Sequence, residues 1–226
     1  MPMGMPYVPP EQLMKDKADY AQKGISRGKS VVAITYDQGV LFVAENPSST
    51  LNKISEIYDR IAFAAVGKYN EFEALRQWGI RTADVRGYQY ARADVTGRSL
   101  ANAYANLIGI TFAGVDKPLE VELLVAELGA EDIELYHILY DGSITDEKGY
   151  VVIGGNADAI NERLGQDFST DMNRNAALLT ARRALGGAEG RTIAAERLEV
   201  AGLDQGRGRR KFFRLDTPAI AAALQT

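Results

Sequence analysis

Apolar positions along this chain change their spacing several times, and each change marks a new element. The runs at 30–37 and 40–45 are rich in Val, Ile, Tyr and Phe around Asp37-Gln38-Gly39, which predicts a hairpin. Runs at 54–58 and 61–66 flank the polar pair Asp59-Arg60 and predict a second hairpin, so that the two together supply one antiparallel sheet. From Tyr69 the period turns helical, with Phe72, Leu75, Gly79 and Ala83 on one face and Gly87 ending or bending the segment. Thr96 is placed to cap a second helix whose stripe is Leu100, Tyr104, Leu107, Ile108 and Phe112, and this pair is expected to cover the first sheet. Strands return at 121–127, 133–140 and 150–153, helices at 157–168 and 173–185, strands at 198–203 and 212–215, and a short helix from Thr217. Ahead of all these, residues 11–23 read as a helix. Pro10 suits its entrance and Gly24 its C-terminal cap, Met14, Ala18, Ala21 and Ile25 form its apolar stripe, and Lys15, Asp16, Lys17 and Asp19 face water.

Strand pairs alternating with helix pairs predict an α+β fold, a four-layer αββα sandwich with two sheets face to face, helices on both outer sides and an added N-terminal helix. The order ββ, αα, ββ, αα, ββ suggests a duplicated plan, although no repeat in residue identity accompanies it. At 226 residues the chain is long enough for one domain that buries roughly 70–75% of its unfolded surface. Composition then removes chemistries. The absence of cysteine excludes disulfides, thiolate metal sites and cysteine nucleophiles, and a single histidine excludes multi-histidine metal cages, so no cofactor or metal is expected. No window approaches the roughly 20 apolar residues that span a bilayer. The start MPMGMPYVPP has neither a basic n-region nor an apolar h-region, which predicts a cytoplasmic protein without a membrane partner. A net charge of −4 gives no global reason to bind nucleic acid.

The run AENPSSTLNKISEIYDRIAFAAVGKYNEFEALR, with the helix before it and VELLVAEL…LYHILYDGSITDEKGYVVIGG after it, resembles the alpha subunits of actinobacterial-type proteasome core particles. The resemblance runs from Pro9 to about Leu215, in order and with short gaps. It implies the αββα sandwich of the N-terminal nucleophile hydrolases, in agreement with the layers read from periodicity. That fold is shared by alpha subunits and proteolytic beta subunits, and chemistry separates them. A catalytic subunit attacks with a threonine hydroxyl whose own free α-amino group, ordinarily titrating at roughly pH 7.7–8.0, is available as base, assisted by a lysine across the cleft. Such a threonine is usually released by cleavage of a Gly-Thr bond, and the chain contains no Gly-Thr dipeptide. Lys29 stands at the head of the first strand with Ser30 next, which cannot reproduce that nucleophile, and Thr35 is a strand residue. In alpha subunits the helix ahead of this strand fills the cleft where a catalytic subunit would bind substrate.

Read alone, Lys53 is an exposed strand lysine; within NKISEI it resembles the lysine that receives the C-terminal carboxylate of a ring-shaped ATPase activator, in a pocket between neighbouring subunits. Gly67 and Lys68 resemble the pocket's other wall, and Pro10 the turn proline beside it. A lysine and a carboxylate about 4 Å apart attract by roughly 4 kcal/mol at an effective dielectric of 20, but exposed pairs often net about 0–1 kcal/mol, so several pockets must be engaged together. The resemblance divides the chain into a gating tail at 1–10 and a single domain at 11–226. Seven tails obstruct the ring axis, and here Met1, Pro2, Met3, Gly4, Met5, Pro6, Tyr7, Val8 and Pro9 form the gate, with prolines limiting the conformations to be ordered. The tail lacks the Tyr-Asp-Arg of other alpha subunits; Tyr58-Asp59-Arg60 has those letters but lies in a hairpin. Implied partners are further copies in a seven-membered ring, catalytic beta subunits, the ATPase and unfolded protein substrates, and by resemblance residues 98–112 are the candidate helix facing a partner ring or a neighbour.

Two other classes stand beside this reading. A self-processing N-terminal nucleophile amidohydrolase would lose mass on maturation and expose a new N-terminal Thr or Ser. A nucleic-acid module would use Gly-Arg-Gly-Arg-Arg-Lys at 206–211. That run reads instead as a solvated turn between the last two strands, with no aromatic platform or second basic cluster beside it. His137, alternating with Leu135 and Leu139, reads as a packed or surface strand histidine.

Overall fold

Ten strands pair into two five-stranded antiparallel sheets in a computed structural model that describes residues 9–129 and 132–225. In chain order the strands are β1 (Val31–Tyr36), β2 (Gly39–Glu45), β3 (Ile54–Tyr58), β4 (Ile61–Gly67), β5 (Val121–Leu128), β6 (Ile133–Ile138), β7 (Ile144–Glu147), β8 (Tyr150–Ile153), β9 (Leu198–Asp204) and β10 (Phe212–Leu215). Both early hairpins form where the pattern placed them, β1 against β2 with Tyr36 opposite Gly39, and β3 against β4 with Tyr58 opposite Ile61. They do not share a sheet. One sheet runs β10-β9-β2-β1-β8 and the other β3-β4-β5-β6-β7. Because β2 and β4 are apolar on both faces and buried along almost their whole length, each needs cover on two sides. The hairpins provide it for each other by stacking: Val40, Phe42 and Ala44 meet Ile54, Ala62 and Ala64 in the core between the sheets.

The helices are α1 (Pro10–Ile25), α2 (Tyr69–Gln89), α3 (Gly97–Ala113), α4 (Ala157–Asp167), α5 (Arg174–Gly187) and α6 (Thr217–Ala223). The predicted α2 face is buried as read, and with Leu100, Tyr104 and Ile108 of α3 it covers the outer face of the β3–β7 sheet. The Thr96 hydroxyl accepts the Ser99 amide at 3.2 Å and caps α3. The helix α2 runs two residues past Gly87 to Gln89, and the missing side chain makes room for the Tyr58 hydroxyl. The helices α4, α5 and α6 pack on the other sheet through Ile160, Leu164, Leu178, Ala181 and Ile220, which completes four layers. The strand β7 escaped the pattern because Ile-Thr-Asp-Glu has a single apolar residue and an exposed middle. Among the described residues no helix is long and apolar enough to cross a membrane.

The body of α1 rests on β4 and β5, and its last residue, Ile25, enters the inter-sheet core. The predicted stripe is half right. Ala21 and Ile25 are buried, Met14 is exposed, and Lys17, read as facing water, is only 8% exposed. Its ammonium donates to the carbonyls of Phe112 (2.9 Å) and Gly114, the orphan acceptors at the end of α3. A lysine stem covers apolar surface while its head finds a helix C-terminus, an outcome that spacing within α1 alone does not reveal.

Candidate functional site

Two buried glutamates organise the end of the sandwich where β1 begins and β2 ends. Glu45, the last residue of β2, is 2% exposed. Its carboxylate takes Arg191 as a hydrogen-bond donor, with Arg197 at 2.8 Å and Lys29 at 3.5 Å. Burial works to raise its pKa, but the Arg191 hydrogen bond and the charges of Lys29, Arg191 and Arg197 together hold it below the usual carboxylate range. Lys29 also reaches Glu189 at 3.2 Å, and Arg191 reaches the same carboxylate at 2.6 Å. The head of β1 is therefore held by an ion-pair network of Lys29, Glu45, Arg191 and Glu189 that closes on itself. A cavity of about 120 Å³ remains, bordered by the Ser26–Gly28 exit of α1, by Lys29 and Ser30, and by Gly155 and Asn156 before α4. The body of α1 rests on β4 and β5, and its exit borders this cavity. Gly155 permits that path: a Cβ there would stand 2.4 Å from the Ser26 carbonyl oxygen.

Glu199 on β9 is the second glutamate, 8% exposed. It accepts the backbone amides of Lys53 (2.9 Å) and Ile54 (3.0 Å), the Asn46 amide (2.7 Å) and the Arg214 guanidinium (2.7 Å). The serine-rich loop before Lys53 is braced from within as well, since Asn46 accepts the Ser48 amide and Ser48 the Leu51 amide, each at 3.0 Å. Sequence reading missed Glu199. A glutamate inside the apolar run Leu-Glu-Val-Ala-Gly-Leu was the available signal, because such a residue is buried only when its charge is matched.

This scaffold holds the Lys53 backbone and leaves its ammonium largely uncommitted. The half-buried side chain donates to the Lys29 carbonyl at 2.6 Å, and among the described residues no carboxylate lies within 4 Å of it. Burial pushes the Lys53 pKa down to about 8, helped by Lys29 and opposed by Glu199 and Glu45. Gly67 stands two residues beyond Ala65, whose amide bonds the Lys53 carbonyl at 3.0 Å, so Lys53 and Gly67 share one end of neighbouring strands. Gly67 has φ +114° and approaches Glu120 so closely that a Cβ would meet its carbonyl oxygen at 1.9 Å. Lys68 follows as the residue capping α2, its ammonium 3.7 Å from Glu71 and 3.8 Å from Glu120. Pro10 is not part of this group. It opens α1, and 15 residues at 1.5 Å each put it about 22 Å from the Ile25 end that approaches Gly67. Of the predicted gate, Pro9 precedes α1 with an extended backbone; Met1, Pro2, Met3, Gly4, Met5, Pro6, Tyr7 and Val8 lie outside the described residues.

The discounted features are placed as well. His137 is partly buried, with Nε2 2.6 Å from Glu122, and Thr35 lies within β1. The basic turn at 206–211 joins β9 to β10 and is exposed, but a second basic cluster does stand beside it: Arg60 and Arg92 line the same hollow as Arg209 and Lys211. Those two residues are far away in sequence, so no local run of charge reveals them. Among the described residues no three His, Cys, Asp or Glu side chains are grouped to hold a metal ion.

The family model described as proteasome subunit matches residues 25–202. Similar proteins named Proteasome subunit alpha come from Thermomonospora curvata, 57% identical over 98% of both chains, and Kineococcus radiotolerans, 54% identical over 96% of both. A third, from Nocardioides sp., is 56% identical over 94% of this chain and 86% of its own. The chain belongs to the proteasome subunit family, as an alpha-type member.

Proposed function

We propose that this chain is the non-catalytic subunit of the outer proteasome ring, seven copies of which stand on a chamber of catalytic beta subunits in the cytoplasm. The ring controls the admission of unfolded protein and presents pockets to the C-terminal tails of a ring-shaped ATPase. The observation that carries the non-catalytic role is the rooting of α1: Ile25 is packed between the sheets, so the segment ahead of Lys29 cannot be removed without opening the core. No free α-amino group then arises at the head of β1, and the ion pairs of Lys29 take its place.

In this reading Lys53 is the docking lysine, with Gly67 and Lys68 as the adjoining wall. Its ammonium keeps donors for an incoming carboxylate because Glu199 binds the backbone and not the side chain. Pro10 would complete the pocket from a neighbouring copy, since within one chain the length of α1 separates it from Lys53. Residues 1–10 act as the gate and the remainder as a single domain. Lys53→Ala in the assembled complex tests the pocket: rings and hydrolysis of small peptides persist, while ATPase-dependent degradation falls. Unchanged degradation would overturn the assignment. Removal of residues 1–7 raises peptide hydrolysis by the core without ATPase, and an unchanged rate would overturn the gate.

A further inference from the structure

The two lateral sides of the sandwich carry opposite charge. On the side closed by β7 and β8, a groove of about 970 Å³ is lined by Asp37, Asp132, Glu134, Asp146 and Glu147, with Arg98 and Lys148 as the cations on its wall. Among the described residues, none of these five carboxylates has a lysine or arginine nitrogen within 4 Å. Glu134 accepts the Tyr136 hydroxyl and Glu147 the Thr145 hydroxyl, contacts that leave their charge in place.

The opposite side, closed by β3 and β10, gathers Arg207, Arg209, Arg210 and Lys211 of the basic turn beside Arg60 and Arg92. Three carboxylates answer them: Glu56 binds Arg210, Glu127 binds Arg60, and Asp59 is shared by Arg92 at 2.9 Å and Arg209 at 3.4 Å. Arg207 and Lys211 have no carboxylate within 4 Å among the described residues, and the Lys211 ammonium rests on the carbonyls of Gln205 and Arg207. One side thus has an excess of anions and the other an excess of cations. Five strands separate them, about 19 Å at roughly 4.8 Å per strand spacing, well beyond the ~8 Å screening length at physiological salt. Within one chain the two sides cannot neutralise each other.

Both charged regions lie at the same end of the strands. Asp37 sits in the β1–β2 turn, and the β9–β10 turn begins beside it, where the Gln205 amide bonds the Gln38 carbonyl at 2.7 Å. Setting one side of a copy against the opposite side of the next therefore needs rotation but no slide along the strands. A head-to-tail contact of this kind closes into a ring when the rotation allows it.

We propose that the β3/β10 side of one copy docks on the β7/β8 side of the next, with the basic turn at 206–211 seated along the acidic groove. The occupant of the groove is a second copy of this chain, and the inference rests on the ring reading, whose lateral contact it specifies. Two variants of the full chain test it, Arg207→Glu with Arg209→Glu, and Glu134→Arg with Asp146→Arg, all at exposed positions. Assembly is followed by native mass and sedimentation over a range of concentrations, with and without the catalytic subunit, and thermal unfolding confirms that each variant folds. Either one-sided variant should raise the concentration for half-assembly at least about tenfold, because like charges then face each other. All four changes in one chain exchange the signs of the two sides and should return that concentration to near its original value; a rescue of this kind also shows that the one-sided variants failed by charge and not by misfolding. One-sided variants that fold and assemble like the unaltered chain, or a fourfold variant no better than either pair, would overturn the proposal. Open, non-closing assemblies that still show the rescue would overturn the ring reading and leave the docking sides standing. No assembly at all, even with the catalytic subunit, would overturn both.

Discussion

Glu45 and Glu199 are the same residue type, almost equally buried, on neighbouring strands at one end of the sandwich, and their charge does two different things. Glu45 meets side-chain cations, Lys29, Arg191 and Arg197, and the result is a plugged cleft. Glu199 meets mainly N–H groups of the loop, at Lys53, Ile54 and Asn46, with one guanidinium behind them. The result is a fixed backbone whose lysine side chain remains available. A buried carboxylate is costly unless matched, but the kind of donor that matches it decides whether a site is closed or presented.

The sharpest way to break this comparison is to remove each carboxylate in turn. Glu199→Ala leaves the Lys53 and Ile54 amides and the buried Asn46 side chain without their acceptor, besides releasing the partly exposed Arg214 guanidinium, and should cost about 3–5 kcal/mol. For a chain of this size that corresponds to a fall of roughly 10 °C in the unfolding midpoint. Glu45→Ala should cost less, about 1–2 kcal/mol, because it strands no backbone amide: its three cations, Lys29, Arg191 and Arg197, are 45%, 31% and 54% exposed, and water can solvate them once released. Thermal unfolding of both variants at one pH measures the difference; equal losses would mean that the two carboxylates are interchangeable supports.

Much of the frame was legible because it depends on local period. The α2 face of Phe72, Leu75, Gly79 and Ala83 and the two early hairpins follow from spacing that no tertiary contact overrides. Placement of the hairpins in separate sheets was not legible, since an apolar strand buried on both faces gives the same pattern in either arrangement. The site divided in the same manner. Lys29 and Lys53 stood out by position and by family resemblance, whereas Glu199, Arg191 and Arg197 reach the same place from more than 130 residues further along the chain. Lys17 shows the limit most plainly: its partners are the last carbonyls of another helix, and no spacing within α1 encodes them.

The Lys53 ammonium sharpens the contrast through pH. A carboxylate bound beside it favours the charged form, so the pKa is raised in the bound state above its value of about 8 in the free chain. The binding contribution is fully present below pH 8 and is lost as pH rises from there through the bound-state pKa, by up to about tenfold per unit. Titrating a peptide that ends in the activator's free carboxylate, by calorimetry on the assembled ring across this range, reads that slope directly. Lys53→Arg should bind with no such slope, because a guanidinium stays charged. Tail affinity that is flat in the unaltered protein through pH 8 to 10 would separate Lys53 from the docking contact.

The smallest effect tests whether the closed and the presented clusters communicate. Lys29→Met keeps the apolar stem and the backbone carbonyl that receives Lys53, and Arg191 and Arg197 still hold Glu45, so stability should change by only about 0–1 kcal/mol. Its charge, however, is one of the influences that depress the Lys53 pKa. Removing it should move the Lys53 titration upward, seen by NMR of labelled lysine side chains, and shift the onset of weakened tail binding to higher pH. An unmoved Lys53 titration in a variant that folds normally would show that the two clusters, though joined by the Lys29 backbone, are electrostatically independent.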